Sequence, residues 1–161
     1  MNAQATWQTQ FSVETSATVE MIWQIFRDVG TWQHWNAGIE SLEIHGPFAN
    51  GTWFSMKPPG QAALRSCLIE VRENECFVDE TRVGELTVRV AHRIQRLGPA
   101  STRVIYSVEA EGPDAAEIGA AISSDFPEVL ASLAALAEQK CNAAGTSAAG
   151  NQPPVREGTV R

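Results

Sequence analysis

His92 and Tyr106 are the residues of this sequence best suited to chemistry on a bound molecule. A histidine on the apolar side of a strand has an imidazole that must be either hydrogen-bonded or in use. The only tyrosine brings a ring that belongs in a core and a hydroxyl that needs a partner. Around a ligand carbonyl, the two side chains would donate hydrogen bonds and stabilise enolate charge, an acid/base role open to both. The structural reading stands beside it: a core histidine bonded to Tyr106 or to a buried water. His34, next to Trp35 in a polar turn, and His45, ahead of Gly46-Pro47, read as solvent-exposed. Cys67 reads as a small core group pointing with Ile69 and Val71. No Cys/His set has metal-ligand spacing, and no GxSxG or glycine-rich phosphate loop occurs. Neither a metal, a cofactor nor a covalent nucleophile is therefore expected. The acids Glu70, Glu73, Glu75, Asp79 and Glu80 read as a solvated sheet face.

Strands and one long helix must position this pair. Trp7, Thr9, Phe11 and Val13 alternate with Gln8, Gln10 and Ser12, the period of a half-buried strand over 6–14. Ser16 or Thr18 can cap a helix carrying Val19, Ile22, Trp23, Phe26 and Val29, with Gly30 expected to close it. A shorter helical turn carries Trp32 and Trp35 on one side. Trp23, Trp32 and Trp35 read as an aromatic packing cluster, or as a lid between Gly30 and Gly38. Turn residues then divide 39–111 into six strands near 39–45, 51–57, 62–72, 75–81, 85–97 and 101–111. In the last two, Val88, Val90, His92 and Ile94 match Val104, Tyr106 and Val108 in parity. The hairpin loop around Gly98-Pro99-Ala100 is accordingly expected to have an odd length, three or five residues, which puts His92 and Tyr106 on one face. Asp114 to Glu117 reads as a capping box opening a helix over 114–140, kinked near Asp125, where Pro127 and a second box (Asp125 to Glu128) interrupt it. Beyond Lys140 the periodicity ends. The expectation is one domain over 1–141 and a disordered tail over 142–161.

The chain has 161 residues, 43% of them hydrophobic and 19% charged, with a formal net charge of −7. That is enough chain for one core without disulfide or metal support. Nineteen Asp and Glu against twelve Lys and Arg argue against a nucleic-acid partner. Three cysteines match no disulfide framework and suit a reducing compartment. No stretch reads as a membrane span, and the first residues lack the pattern of a secretory signal. A soluble cytoplasmic protein is predicted, as a monomer or dimer that the sequence does not decide.

Strand, two short helices, six antiparallel strands and a long terminal helix make an α+β chain. In Ala17–Trp23, Asp28, Trp32, Trp35-Asn36, Gly46, Gly51–Phe54, His92-Arg93, Thr102–Val104 and Asp125–Leu133, it resembles the START-like superfamily. That is the helix-grip fold of the birch-pollen allergen, and the closest likeness is to the polyketide cyclase/dehydratase family. The resemblance implies a seven-stranded curved antiparallel sheet wrapped around the C-terminal helix, with an apolar cavity between them. A ligand there would meet Phe54, Met56, Ile69 and Val71, then Val88, Val90, His92, Tyr106 and Val108 of the sheet. The helix would add Ile122, Phe126, Leu130 and Leu133, and the short turn Trp32 and Trp35. Core packing is the plain alternative for each apolar one. Three functions follow as expectations: binding of a small hydrophobic or aromatic molecule such as a lipid, polyketide or isoprenoid-like compound; a cyclase or dehydratase using His92 and Tyr106; and a protein-interaction module with a filled core.

Overall fold

The computed structural model describes residues 5–150, with side chains to residue 144. Seven antiparallel strands form one sheet: β1 (Thr6–Thr15), β2 (Ser41–Ile44), β3 (Trp53–Lys57), β4 (Leu64–Arg72), β5 (Cys76–Val83), β6 (Leu86–Gly98) and β7 (Ser101–Glu111). Between β1 and β2 lie α1 (Val19–Arg27), a 3-10 turn (Val29–Thr31) and α2 (Trp32–Trp35); α3 (Ala115–Ser123) and α4 (Phe126–Gly150) follow the sheet. The order is β1-β7-β6-β5-β4-β3-β2, so all neighbours are consecutive except β1, which pairs with β7. This is the expected curved sheet gripping a C-terminal helix.

Local chemistry explains most boundaries. Thr18 caps α1, its Oγ1 accepting from the Met21 amide at 3.1 Å. The helix ends at Arg27, and Gly30 lies in the 3-10 turn rather than closing it. The β6–β7 hairpin turns on two residues, Gly98 pairing with Ser101, and not on three or five. A bulge between Arg96 and Gly98 supplies the extra residue, so the parity argument survives: His92 faces Tyr106 and Ile94 faces Val104.

The helical region departs from expectation at its two ends and meets it at the break between them. Asp114 has φ 59° and makes no side-chain cap bond, so the first capping box does not form. The helix breaks after Ser123 and restarts at Phe126, the site marked by Pro127. It then continues to Gly150, well into the segment expected to be a tail, because Ala-rich sequence carries high helix propensity. The rest of that expected tail, 151–161, lies outside the described residues. Contrary to the expectation that no stretch reads as a span, Ala115–Ala144 is long and apolar enough by composition to cross a membrane. In the fold it is bent, and Val129, Leu130, Leu133 and Ala137 are buried in the main core.

Candidate functional site

Register places the site. On the inner face, which looks toward α4, β6 and β7 contribute Val88, Val90, His92 and Ile94 opposite Ala110, Val108, Tyr106 and Val104. The β5–β6 hairpin pairs Val83 with Leu86 around a two-residue turn in which Gly84 has φ 60°. That turn reverses parity, so the odd residues of β5 join the even residues of β6: Phe77 faces His92, and Asp79 faces Val90. Asp79 therefore belongs to the inner face, correcting its assignment to a solvated surface. Its side chain is 14% exposed and that of His92 12%.

Aromatic rings surround this point. The His92 ring stacks on Phe77 at 3.9 Å and meets Tyr106 edge-on at 4.5 Å. Phe26 packs against Phe77 at 5.0 Å, and Phe126 of α4 closes on Tyr106 at 5.4 Å. The Phe77 carbonyl lies 3.3 Å from His92 Nδ1. A carbonyl only accepts, so Nδ1 carries the proton and Nε2 keeps its lone pair. Burial holds the imidazole down at about 3, with the Phe77 carbonyl opposing that shift. Burial alone lifts the Asp79 carboxyl to about 7. The Tyr106 phenol is raised by burial, and further by Asp79. Asp79 Oδ2 lies 3.8 Å from His92 Nδ1. A true ion pair would drive the two groups the other way, so below a pH of about 7 this is a neutral acid beside a neutral base.

Hydrogen bonding singles out the same atoms. Among the described residues, Trp35 Nε1 is the one fully enclosed side-chain polar atom without a partner. The Tyr106 hydroxyl and the Asp79 carboxyl also lack hydrogen-bond partners there, so both keep contact with accessible space. They sit where two apolar clusters meet. One contains Phe26, Phe54, Phe77, Tyr106, Leu130 and Leu133; the other contains Val88, Val90 and Val108; Phe126 packs against both.

The other expected lining residues divide. Trp32 and Trp35 are buried in the first cluster, with Met56 and Val71 packed against it. Ile69 is 41% exposed and faces outward. A bulge between Leu68 and Glu70 puts Leu68 and Val71 on the inner face and leaves Cys67 and Ile69 on the outer one, so Cys67 does not point with Val71. Ile122 is 37% exposed, on α3 rather than on the gripping helix. Sequence reading also missed Phe48, from the β2–β3 loop, whose ring meets Trp23 at 5.7 Å and Phe77 at 5.2 Å. The inner side chains touch one another. Neither of the two main clefts is the expected cavity between sheet and helix: one of about 470 Å³ lies between α1, the 3-10 turn and α4, and one of about 730 Å³ lies on the outer face of the sheet. No group of three or more His, Cys, Asp or Glu suited to a metal occurs among the described residues.

A family model described as polyketide cyclase / dehydrase and lipid transport matches residues 6–138. No curated protein matches the chain significantly. Among solved structures, norcoclaurine synthase from Thalictrum flavum, in complex with dopamine and hydroxybenzaldehyde, has a TM-score of 0.66 at 18% identity, over 83% of this chain and 87% of that one. A START superfamily protein from Mycobacterium smegmatis has a TM-score of 0.66 at 19% identity, over 82% and 97% of the two chains. Ara h 8.0201 has a TM-score of 0.66 at 11% identity, over 83% and 98%. At such identities the likeness is one of fold.

Proposed function

Since this chain belongs to the polyketide cyclase/dehydrase and lipid transport family, we propose that it binds a small hydrophobic or aromatic molecule between the sheet and α4. The observation that carries this reading is the group of polar atoms without protein partners on an otherwise apolar face: the Asp79 carboxyl and the Tyr106 hydroxyl, with the lone pair of His92 Nε2 beside them. These atoms touch accessible space and have water as their alternative partner, so a ligand's polar group can take the place of that water. A ligand with one polar end and an apolar body satisfies both requirements. Removing about 200 Å² of apolar surface from water is worth about 5 kcal/mol before the costs of association.

The inner side chains are in mutual contact, so the ligand enters by turning aromatic rings along the line where the two clusters meet. Phe126 is the side chain to move, because it bridges both clusters at the start of α4. The soluble form of the family fold suits a ligand carried in water, and a cytoplasmic location remains part of this proposal.

The second reading is catalytic. His92, neutral with Nε2 free, can accept a hydrogen bond, though an imidazole held down at about 3 is a weak base, and Tyr106, its phenol raised, stays a donor. Cyclase- or dehydratase-like chemistry at a ligand carbonyl would draw on that pair for hydrogen bonding and stabilisation of enolate charge.

Melting temperature and tryptophan fluorescence, measured against 2-naphthol, farnesol and oleate, test the binding reading. A ligand at a hundred times its Kd raises stability by about 2.7 kcal/mol. Both signals unchanged with every probe would favour the interaction module with a filled core. Turnover abolished by His92→Gln and Tyr106→Phe separates the enzyme from the carrier.

A further inference from the structure

Asp79 is the inner-face group that neither packing nor hydrogen bonding accounts for. Its cross-strand neighbours are Leu68 on β4 and Val90 on β6. Along its own strand, Phe77 and Thr81 share its face, and the Thr81 hydroxyl is engaged with Ser66 at 2.5 Å. The titratable groups near it are His92, at 3.8 Å, and the Tyr106 phenol. His92 Nδ1 is the nearer nitrogen, and its proton goes to the Phe77 carbonyl. Thus no protein donor lies within hydrogen-bond distance of the carboxyl, whose nearest polar neighbour is His92 Nδ1 at 3.8 Å. A carboxylate in such surroundings is costly, and the group escapes the cost by keeping its proton. A protonated carboxyl has one strong donor to offer.

We propose that Asp79, in its acid form, donates a hydrogen bond to the carbonyl oxygen of an uncharged aromatic ligand held between the sheet and α4. This inference rests on the binding reading above and narrows it: the ligand is a neutral ketone, aldehyde or ester with an aromatic body. Asp79 is then a specificity determinant. An anionic ligand is disfavoured because its charge would share an apolar site with an acidic residue.

The test compares 2-acetylnaphthalene with 2-isopropylnaphthalene, which have nearly the same shape and differ in the carbonyl. Affinities are measured by tryptophan quenching at pH 5.5 and 8.5. The parent protein is expected to prefer the ketone about tenfold at pH 5.5, the equivalent of about 1.4 kcal/mol, and to lose that preference at pH 8.5 as the carboxyl ionises. Asp79→Asn keeps a donor that does not titrate, so its preference persists at both pH values. Asp79→Leu removes the preference at both, with melting curves confirming that the variant is folded. A preference independent of pH in the parent, or retained in Asp79→Leu, overturns the role of Asp79 while leaving the binding reading intact. If neither probe binds at either pH while farnesol or oleate does, the aromatic ketone is overturned and the binding reading stands; if none of them binds, both fall.

Discussion

Asp79 Oδ2 and His92 Nδ1 stand 3.8 Å apart on paired strands, yet the acid is raised and the base lowered. Desolvation outweighs mutual attraction here. Two ionised groups would need hydrogen bonds that the apolar neighbours do not supply. The result, below a pH of about 7, is a proton donor and a proton acceptor stored side by side without charge.

That arrangement gives opposed pH dependences. Asp79 rises from 3.8 to about 7, so the unfolded state loses its proton first and stability falls as pH rises across that range. His92 drops from 6.5 to about 3, so the unfolded state gains its proton first and stability falls as pH descends. Each slope is at most about 1.4 kcal/mol per pH unit. Relative to the parent, Asp79→Asn should gain stability as pH rises from about 4.5 to 6.5, and His92→Gln should lose it. Urea midpoints at the two pH values measure this, and changes of the same sign in both variants contradict it.

The two tryptophans of α2 should respond differently to the same substitution. Trp32 Nε1 donates to the Phe26 carbonyl at 2.9 Å, whereas Trp35 Nε1 is enclosed without an acceptor. Trp32→Phe leaves a buried acceptor unpaired and should cost about 1–3 kcal/mol beyond the lost packing area. Trp35→Phe discards an unsatisfied donor and should cost less than Trp32→Phe by about 1 kcal/mol or more. Chemical denaturation of the two variants gives the comparison directly.

Gly119 of α3 lies against the Trp7 ring, where an added Cβ would come within 2.6 Å of Cζ3. Helix propensity favours alanine over glycine by about 1 kcal/mol. Overpacking against a ring fixed on β1 works against it by about 1–3 kcal/mol. Gly119→Ala should therefore be neutral to destabilising, and a gain of 1 kcal/mol in thermal denaturation would show that α3 moves freely on the sheet.

The bulge in β4 can be tested by adjacent substitutions. Leu68 is fully buried and Ile69 is 41% exposed. Leu68→Ala should cost about 2–5 kcal/mol, while Ile69→Thr should change stability by about 0.5 kcal/mol or less. Equal losses at both positions would mean that the two residues share one face.

The same bulge shows where sequence reasoning stops. Alternation located all seven strands to within a few residues, because hydrogen-bonded strands repeat every second side chain. It assigned Ile69 to the inner face because an inserted residue leaves no mark in the composition, only a change of phase. Asp79 was lost for a related reason. Cys76, Phe77 and Val78 are all buried, so β5 shows no alternation at its start. The turn after Val83 did hold the missing information: two residues across Gly84 reverse parity and place Asp79 beside Val90. His92 and Tyr106 were legible because both strands that carry them alternate cleanly up to the hairpin. Phe126 was legible from the helical spacing it shares with Leu130 and Leu133, and it does close on Tyr106; the ring of Phe48, which completes the surroundings of the site, comes from a loop, where no period exists to be read.

The pairing of β1 with β7 sets an order on synthesis. The first strand to leave the ribosome waits, edges unpaired, until Thr102 and Glu111 have emerged, because these are the partners of Thr15 and Thr6. Until then the half-apolar ribbon of Trp7, Phe11 and Val13 has no mate within the chain, and ring closure over so long a span makes folding slow. The nascent polypeptide is thus most vulnerable to aggregation just before translation delivers its seventh strand, and an early stop codon upstream of β7 would release a product that cannot shield its own beginning.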